Sequence, residues 1–225
     1  MSNQSGLVDA VLTPIEGTYT HGRGGNTVTK ITVHCMVGQC EPEGCAGVFR
    51  DRYNEGDLVS CNYMIGPTGR VGIYVPEEDR SYCSSSEWND NRAITIEVAS
   101  DTEEPLAFKD EAYNKLVLLC ADICNRYGFK LYYTGDKSGS LTGHWMFSSK
   151  SCPGTWFRER YYDFCNEVNA LVDGGVFTPD DYDDSWQQGE EDAVYDYYLI
   201  TSTDKQTQPG DCGNKITGSV YLGRW

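Results

Sequence analysis

Basic residues are scarce in this chain, and between Tyr161 and Asp204 there are none. Eighteen Lys and Arg stand against 34 Asp and Glu, a formal net charge of −16. Residues 1–160 carry 21 acidic and 15 basic side chains, whereas residues 161–204 carry 12 acidic ones and no Lys or Arg. Phosphate backbones and anionic lipid repel such a chain, so no nucleic-acid partner is expected. Long hydrophobic runs are also missing. No stretch of 18 apolar residues exists, so no membrane insertion is expected. The opening MSNQSGLVDAVLTPIEG lacks a basic segment followed by a continuous apolar one. No secretory signal is read there, and synthesis in the cytoplasm is the expectation. Internal repeats and paired CxxC motifs of the zinc-ribbon kind are absent.

Cysteine, by contrast, is plentiful, with ten in 225 residues. A chain of this length needs no disulfide staples, and several of the cysteines fall at apolar helical positions, where a thiol behaves as a small hydrophobe. Cys35, Cys40 and Cys45 are close enough in sequence to include a short-loop disulfide in an oxidising setting. Hydrophobic residues at 39% and aromatics at 12% suffice for a core.

Periodicity divides the chain into alternating elements. TKITVHCM (29–36) and RAITIEVAS (92–100) alternate apolar and polar residues and read as strands. CNYMIGPTGRVGIYV (61–75) reads as a hairpin about a Pro/Gly turn, and CAGVFRDRY (45–53) as a short helix. In DEAYNKLVLLCADICNRYG (110–128), Tyr113, Leu116, Val117, Cys120, Ile123, Cys124 and Tyr127 share one helical face, and Gly128 ends it. FKLYYT (129–134) reads as a returning strand. A helix beginning at Pro153 places Phe157, Tyr161, Phe164, Cys165, Val168 and Val172 inward and stops at Gly174-Gly175. Strands interleaved with helices imply an α/β fold with a mixed central sheet flanked by helices. The division expected is a domain over 1–174 and a small acidic, aromatic-rich appendage over 175–225, holding a short helix and strands.

The chemistry-bearing residues are few. Of only three histidines, His34 lies on the polar parity of its strand with Thr32, opposite Ile31, Val33 and Cys35. Glu97 lies likewise with Thr95, opposite Ile94, Ile96 and Val98. Such a pair lines one cleft or else faces solvent. His144 and Cys152 flank the loop HWMFSSKSC. Zinc favours imidazole and thiolate, and a catalytic zinc has three protein ligands with a fourth position for water, so His34, His144 and Cys152 make a candidate set. Each also has an ordinary alternative, as a loop hydrogen-bonder or a buried thiol.

The motifs TVHCM, NYMIGPTGRVGIYVPEEDRSYC, NDNRAITIEV and HWMFSSKSCPG occur in that order. Together, over residues 25–170, they resemble the N-acetylmuramoyl-L-alanine amidase family, which includes phage lysozyme-type amidases and is similar to the peptidoglycan-recognition proteins. The stretch around CNYMIG and YVPEEDRSYCSSS most resembles endolysins of phages infecting Gram-positive bacteria. The resemblance implies that His34, His144 and Cys152 hold Zn2+. It makes Glu97 the general base and Lys150 the residue steadying the oxyanion. It implies hydrolysis of the amide joining N-acetylmuramic acid to L-alanine in peptidoglycan, with zinc lowering the pKa of water towards ~7. An endolysin would wait in the host cytoplasm and act on the cell wall after release. Two departures stand out. Cys61 replaces a tyrosine that some members use, and Trp145 replaces the arginine that usually follows the second ligand. Tyr82, Trp145 and Trp156 are candidates for stacking on sugar faces, or for ordinary packing.

Two other readings compete: a non-catalytic peptidoglycan-binding module, and a wall peptidase with Cys152 as nucleophile. Neither accounts for the whole set of His34, Glu97, Lys150 and Cys152. The appendage, too small to fold alone, is expected to dock on the domain or to self-associate, with wall targeting as the alternative.

Overall fold

Two strands rich in β-branched residues lie side by side within a six-stranded sheet. The computed structural model describes residues 4–174. In chain order the first elements are β1 (Ala10–Val11), β2 (Tyr19–Thr20), β3 (Lys30–Cys35), α1 (Pro42–Asn54), β4 (Tyr63–Ile65), β5 (Val71–Ile73) and β6 (Arg80–Ser81). There follow α2 (Glu87–Asp90), β7 (Ala93–Val98), α3 (Asp110–Tyr127), β8 (Leu141–Gly143), α4 (Thr155–Arg158) and α5 (Tyr161–Asp173). The sheet order is β1-β5-β4-β7-β3-β8, with β2 and β6 forming a separate pair. Only β4–β5 is antiparallel within the large sheet, the hairpin turning at Gly66–Arg70; the other pairings are parallel. This is the mixed sheet flanked by helices that the residue pattern implies.

Every residue of β3 and β7 is buried, so both faces of the sheet centre are covered, as parallel strands require. On one face Ile31, Val33, Cys35, Ile94, Ile96 and Val98 pack with Leu116, Leu119, Cys120 and Ile123 of α3 and Phe164 and Val168 of α5. On the other, Cys45, Ala46 and Phe49 of α1 join Cys61, Met64, Tyr74 and Val75. Close approach of α1 needs Gly72 in β5, where a Cβ would stand 2.6 Å from Pro42 Cβ. Among the described residues no helix is long and apolar enough to cross a membrane.

The structure departs from the sequence pattern in four places. α1 starts three residues before the expected CAGVFRDRY, with Pro42 in its first turn, where a missing N–H costs nothing. Residues 129–134 form no strand. Their backbone is met mostly by side chains: Asn169 Oδ1 accepts from Leu131 N (2.9 Å) and Ser140 Oγ from Tyr132 N (2.8 Å), with one backbone bond from Leu141 N to Tyr132 O (3.1 Å). The edge position goes to β8. The helix expected from Pro153 is two, α4 and α5, broken at Glu159-Arg160, although Phe157, Tyr161, Phe164, Cys165 and Val168 all point inward as expected. Cys35 and Cys45 carry free thiols, so no bridge forms among Cys35, Cys40 and Cys45. The expectations for 175–225 lie outside the described residues.

One buried carboxylate ties the sheet to α3. Glu77 follows β5 and its side chain has no exposure. It accepts from Arg126 Nη1 (2.6 Å) and Nη2 (2.7 Å), Tyr63 Oη (2.5 Å) and Tyr127 Oη (2.9 Å). Arg126 also donates to Asp122 Oδ2 (2.9 Å), so loss of Glu77 leaves the guanidinium paired but the Tyr63 phenol and the cluster's other hydrogen bonds to Glu77 unmet. Glu77→Ala is expected to lower the unfolding free energy by about 1–3 kcal/mol, read from denaturant midpoints at matched metal content. A loss within experimental error would show that Asp122 alone holds Arg126 in place.

Candidate metal centre

Parallel pairing without a register shift sets the first half of the site. His34 lies opposite Glu97, and Glu97 opposite Met64. In-register neighbours project to the same side, so Met64, Glu97 and His34 form a row across β4, β7 and β3 on the α1 face. One step back lies a row of hydroxyls. Thr32 Oγ1 is 2.8 Å from Thr142 Oγ1 and accepts from Asn89 Nδ2 (2.8 Å), while Thr95 Oγ1 is 2.7 Å from Ser81 Oγ. His34 is fully buried and Glu97 only 1% exposed, so the polar parity of both strands serves an enclosed site rather than solvent.

The second half arrives from the loop after β8. Gly143 stands under Tyr161, where a Cβ would lie 2.2 Å from the phenol oxygen, and this close passage delivers His144 at the start of a single 3-10 turn. Trp145 N donates to Cys152 O (3.0 Å), folding the loop so that the two ends meet. Cys152 Sγ comes 3.6 Å from His34 Nδ1 and accepts the Cys35 N–H at 3.3 Å. The His34 and His144 rings are 4.9 Å apart. The donor atoms of His34, His144 and Cys152 all lie within 4.8 Å of one another.

These residues suit a zinc ion. Tetrahedral zinc with Zn–S near 2.3 Å and Zn–N near 2.0 Å places sulfur and nitrogen roughly 3.5 Å apart, close to the Cys152–His34 separation. His34 Nε2 is buried without a hydrogen-bond partner. Burial, helped by His144, holds His34 well below the usual imidazole range, and burial with the Lys150 charge pushes His144 down to about 4. Both rings therefore stay neutral and offer lone pairs. Burial pushes the Cys152 thiol up, with Cys35 adding to it, so the sulfur becomes a thiolate only when a cation compensates.

Glu97 stands beside the ligands, its Oε1 4.0 Å from His34 Nδ1. Burial, and then Cys35, raise its proton affinity well above that of an ordinary carboxylate. Its Oε2 has no partner. A cavity of about 230 Å³ opens here, lined by Glu97, His144, Tyr82, Cys83, Ser85 and Arg80 among others. Lys150 is half-buried in the ligand loop, near enough for its charge to act on His144. Trp145 lies against the Arg158 guanidinium (4.4 Å), and Trp156 packs on Phe108 (5.5 Å) and Tyr113 (5.7 Å); neither lines this cavity. The third histidine, His21, is 78% exposed and pairs with Asp79 at 3.2 Å.

Two neighbours escaped the sequence reading. Cys83 Sγ donates to Glu97 Oε1 at 3.8 Å, and Ser85 Oγ lies 3.1 Å from His144 Nε2. Both come from the turn before α2. It is pinned by buried Asp90, which accepts from Ser84 Oγ (2.6 Å) and Cys83 N (3.2 Å), and it holds Ser85 at φ 62°. The run SYCSSS carries no periodicity to reveal this.

Solved structures with this fold include the Staphylococcus aureus hydrolase AmiA in complex with its ligand, with a TM-score of 0.57 at 15% identity over 75% of this chain and 87% of that one. PlyL aligns with a TM-score of 0.53 at 16% identity, over 71% of this chain and 95% of its own. The N-acetylmuramoyl-L-alanine amidase LysC from Clostridium intestinale aligns with a TM-score of 0.52 at 15% identity, over 71% and 97%. Identities this low speak for the fold alone. No curated protein sequence matches the chain. The sequence profile of the N-acetylmuramoyl-L-alanine amidases, however, matches residues 24–155, a span that includes His34, Glu97, His144 and Cys152. This chain therefore belongs to the N-acetylmuramoyl-L-alanine amidase family.

Proposed function

We propose that the chain is a zinc-dependent amidase that cuts peptidoglycan between the lactyl group of N-acetylmuramic acid and L-alanine of the stem peptide. The observation that carries this reading is the convergence of His34, His144 and Cys152 beside buried Glu97, at the inner end of an open cavity. Zinc bound by that set supplies Lewis acidity toward the amide carbonyl and toward water. Glu97 takes the proton of the attacking water and returns it to the leaving amine of L-alanine. Lys150 brings positive charge to the oxyanion as it develops, a contribution that is usually large. Tyr82, on the cavity wall, is the aromatic best placed to touch substrate.

The biological role we infer is that of an endolysin, acting on the wall of a Gram-positive bacterium after release from the cytoplasm. Support comes from the YVPEEDRSYCSSS resemblance and from a mutant endolysin from Bacillus subtilis of the same fold, with a TM-score of 0.51 at 15% identity. One observation favours a thiol nucleophile instead, the contact between Cys152 and the His34 ring. Against it, Cys152 is buried and does not line the cavity, whereas Glu97 and His144 do.

Digestion of purified walls by the zinc-loaded protein should release free stem peptides and leave glycan strands intact in mass spectra. Cleaved glycan or cut cross-bridges would overturn the assignment. His34→Ala should lack stoichiometric zinc after desalting and release no peptides. Chelation should stop the wild type and added zinc restore it, with alkylation of the zinc-loaded protein having little effect. The opposite pattern would favour the thiol nucleophile.

Glu97→Gln should keep its zinc and its fold yet lose about 10²–10⁴-fold in turnover, because an amide cannot accept the water's proton. Turnover close to that of the wild type would remove Glu97 from the mechanism.

A further inference from the structure

Around Glu97 the structure gathers a second set of donors, in which Cys83, a residue the amidase reaction does not use, joins Glu97 and His34. Cys83 Sγ approaches Glu97 Oε1 to 3.8 Å, and the same oxygen lies 4.0 Å from His34 Nδ1. Donor atoms of His34, Cys83 and Glu97 all fall within 4.8 Å of one another. Two of these side chains are almost wholly buried and carry polar atoms without partners, Glu97 Oε2 and His34 Nε2. The third, Cys83, is half-buried and lines the open cavity, so a cation arriving from solvent meets it first.

We propose that Cys83, Glu97 and His34 form a second position for a thiophilic divalent cation such as Zn2+ or Cd2+, sharing His34 with the first. Thiolate, imidazole and carboxylate together select a borderline or soft metal over Mg2+ or Ca2+. Tetrahedral coordination asks for roughly 3.6 Å between sulfur and oxygen and roughly 3.4 Å between oxygen and nitrogen. The sulfur–oxygen pair, at 3.8 Å, is already close to that, while the oxygen–nitrogen pair, at 4.0 Å, must close by about half an ångström and Cys83 must swing towards His34 by a side-chain rotation. Binding displaces the Cys83 proton, which leaves through the cavity. Because His34 serves both sets, one ion at a time has all three ligands of its position. An ion in the second position coordinates the Glu97 carboxylate and withdraws it from proton transfer. This last consequence rests on the role proposed above for Glu97; the binding does not.

The test is a titration of metal-free, full-length protein with Cd2+ alone, followed by the thiolate-to-cadmium charge-transfer absorption. Wild type, Cys83→Ser, Cys152→Ser and the double variant are compared, with circular dichroism to verify folding and Cys152→Ala as a substitute if Cys152→Ser fails to fold. Cys152→Ser should bind one Cd2+ with the absorption of a single thiolate, and the double variant should lose that absorption and bind more weakly by at least about tenfold, the loss of one ligand. No thiolate absorption in folded Cys152→Ser would overturn the proposal. So would a double variant that absorbs as Cys152→Ser does, since the signal would then come from other cysteines. Cys83→Ser reads the first position separately: if it alone loses the absorption, the zinc reading above fails while the second position stands.

Discussion

The register between β3 and β7 is the constraint on which the rest depends. Side chains alternate with a period of two, so a slip by one residue would turn His34 and Glu97 into the apolar layer and bring Val33 or Ile96 to the site. Two sets of contacts prevent that slip. On the helix-covered face, Ile31, Val33, Ile94 and Ile96 pack against α3 and α5. On the other, Asn62 Oδ1 accepts from Thr95 N at 3.1 Å and Asn89 holds Thr32, contacts that a shifted strand would lose. The face that carries the candidate site is thus secured from behind by hydrophobic packing and within its own plane by hydrogen bonds.

Two buried glutamates show how the fold treats charge in opposite ways. Glu77 is enclosed with a bidentate guanidinium and two phenols, so its negative charge is met inside the protein. Glu97 is enclosed among imidazoles and thiols without a guanidinium of its own, and it, His34, His144 and Cys152 are each pushed toward their neutral forms. Burying ionised groups without compensation is costly. The first glutamate is a structural tie. The second belongs to a cluster whose charge balance is left for a bound cation to complete.

The strand parity of His34 and Glu97, the amphipathic stripe of α3 and the β4–β5 hairpin were all legible in the sequence, because each is a local pattern with a fixed period. That the two strands lie side by side in register follows from tertiary pairing, which no local pattern encodes. Residues 129–134 misled for a related reason. FKLYYT alternates like a strand, yet Asn169 and Ser140 take up its N–H groups and leave a single backbone bond to β8, Leu141 N to Tyr132 O (3.1 Å). β8 itself, three residues long, is too short for alternation to show. Cys83 and Ser85 were hidden because a turn in an uncommon backbone conformation aims them, and serine-rich turns look alike in sequence.

The contact between Cys152 and the first ligand strand has a topological meaning. His34 and Cys152 are 118 positions apart, so an ion held by both closes a loop spanning most of the domain. The entropy of such a closure grows only with the logarithm of loop length, yet it falls entirely on the unfolded chain. The metal would thus act as a removable cross-link, joining β3 to the segment that leads into α4 and α5. In amide hydrogen exchange, stripping the ion would then release residues 141–158 ahead of the β3–β7 pair, which packing and its own hydrogen bonds hold without the ion.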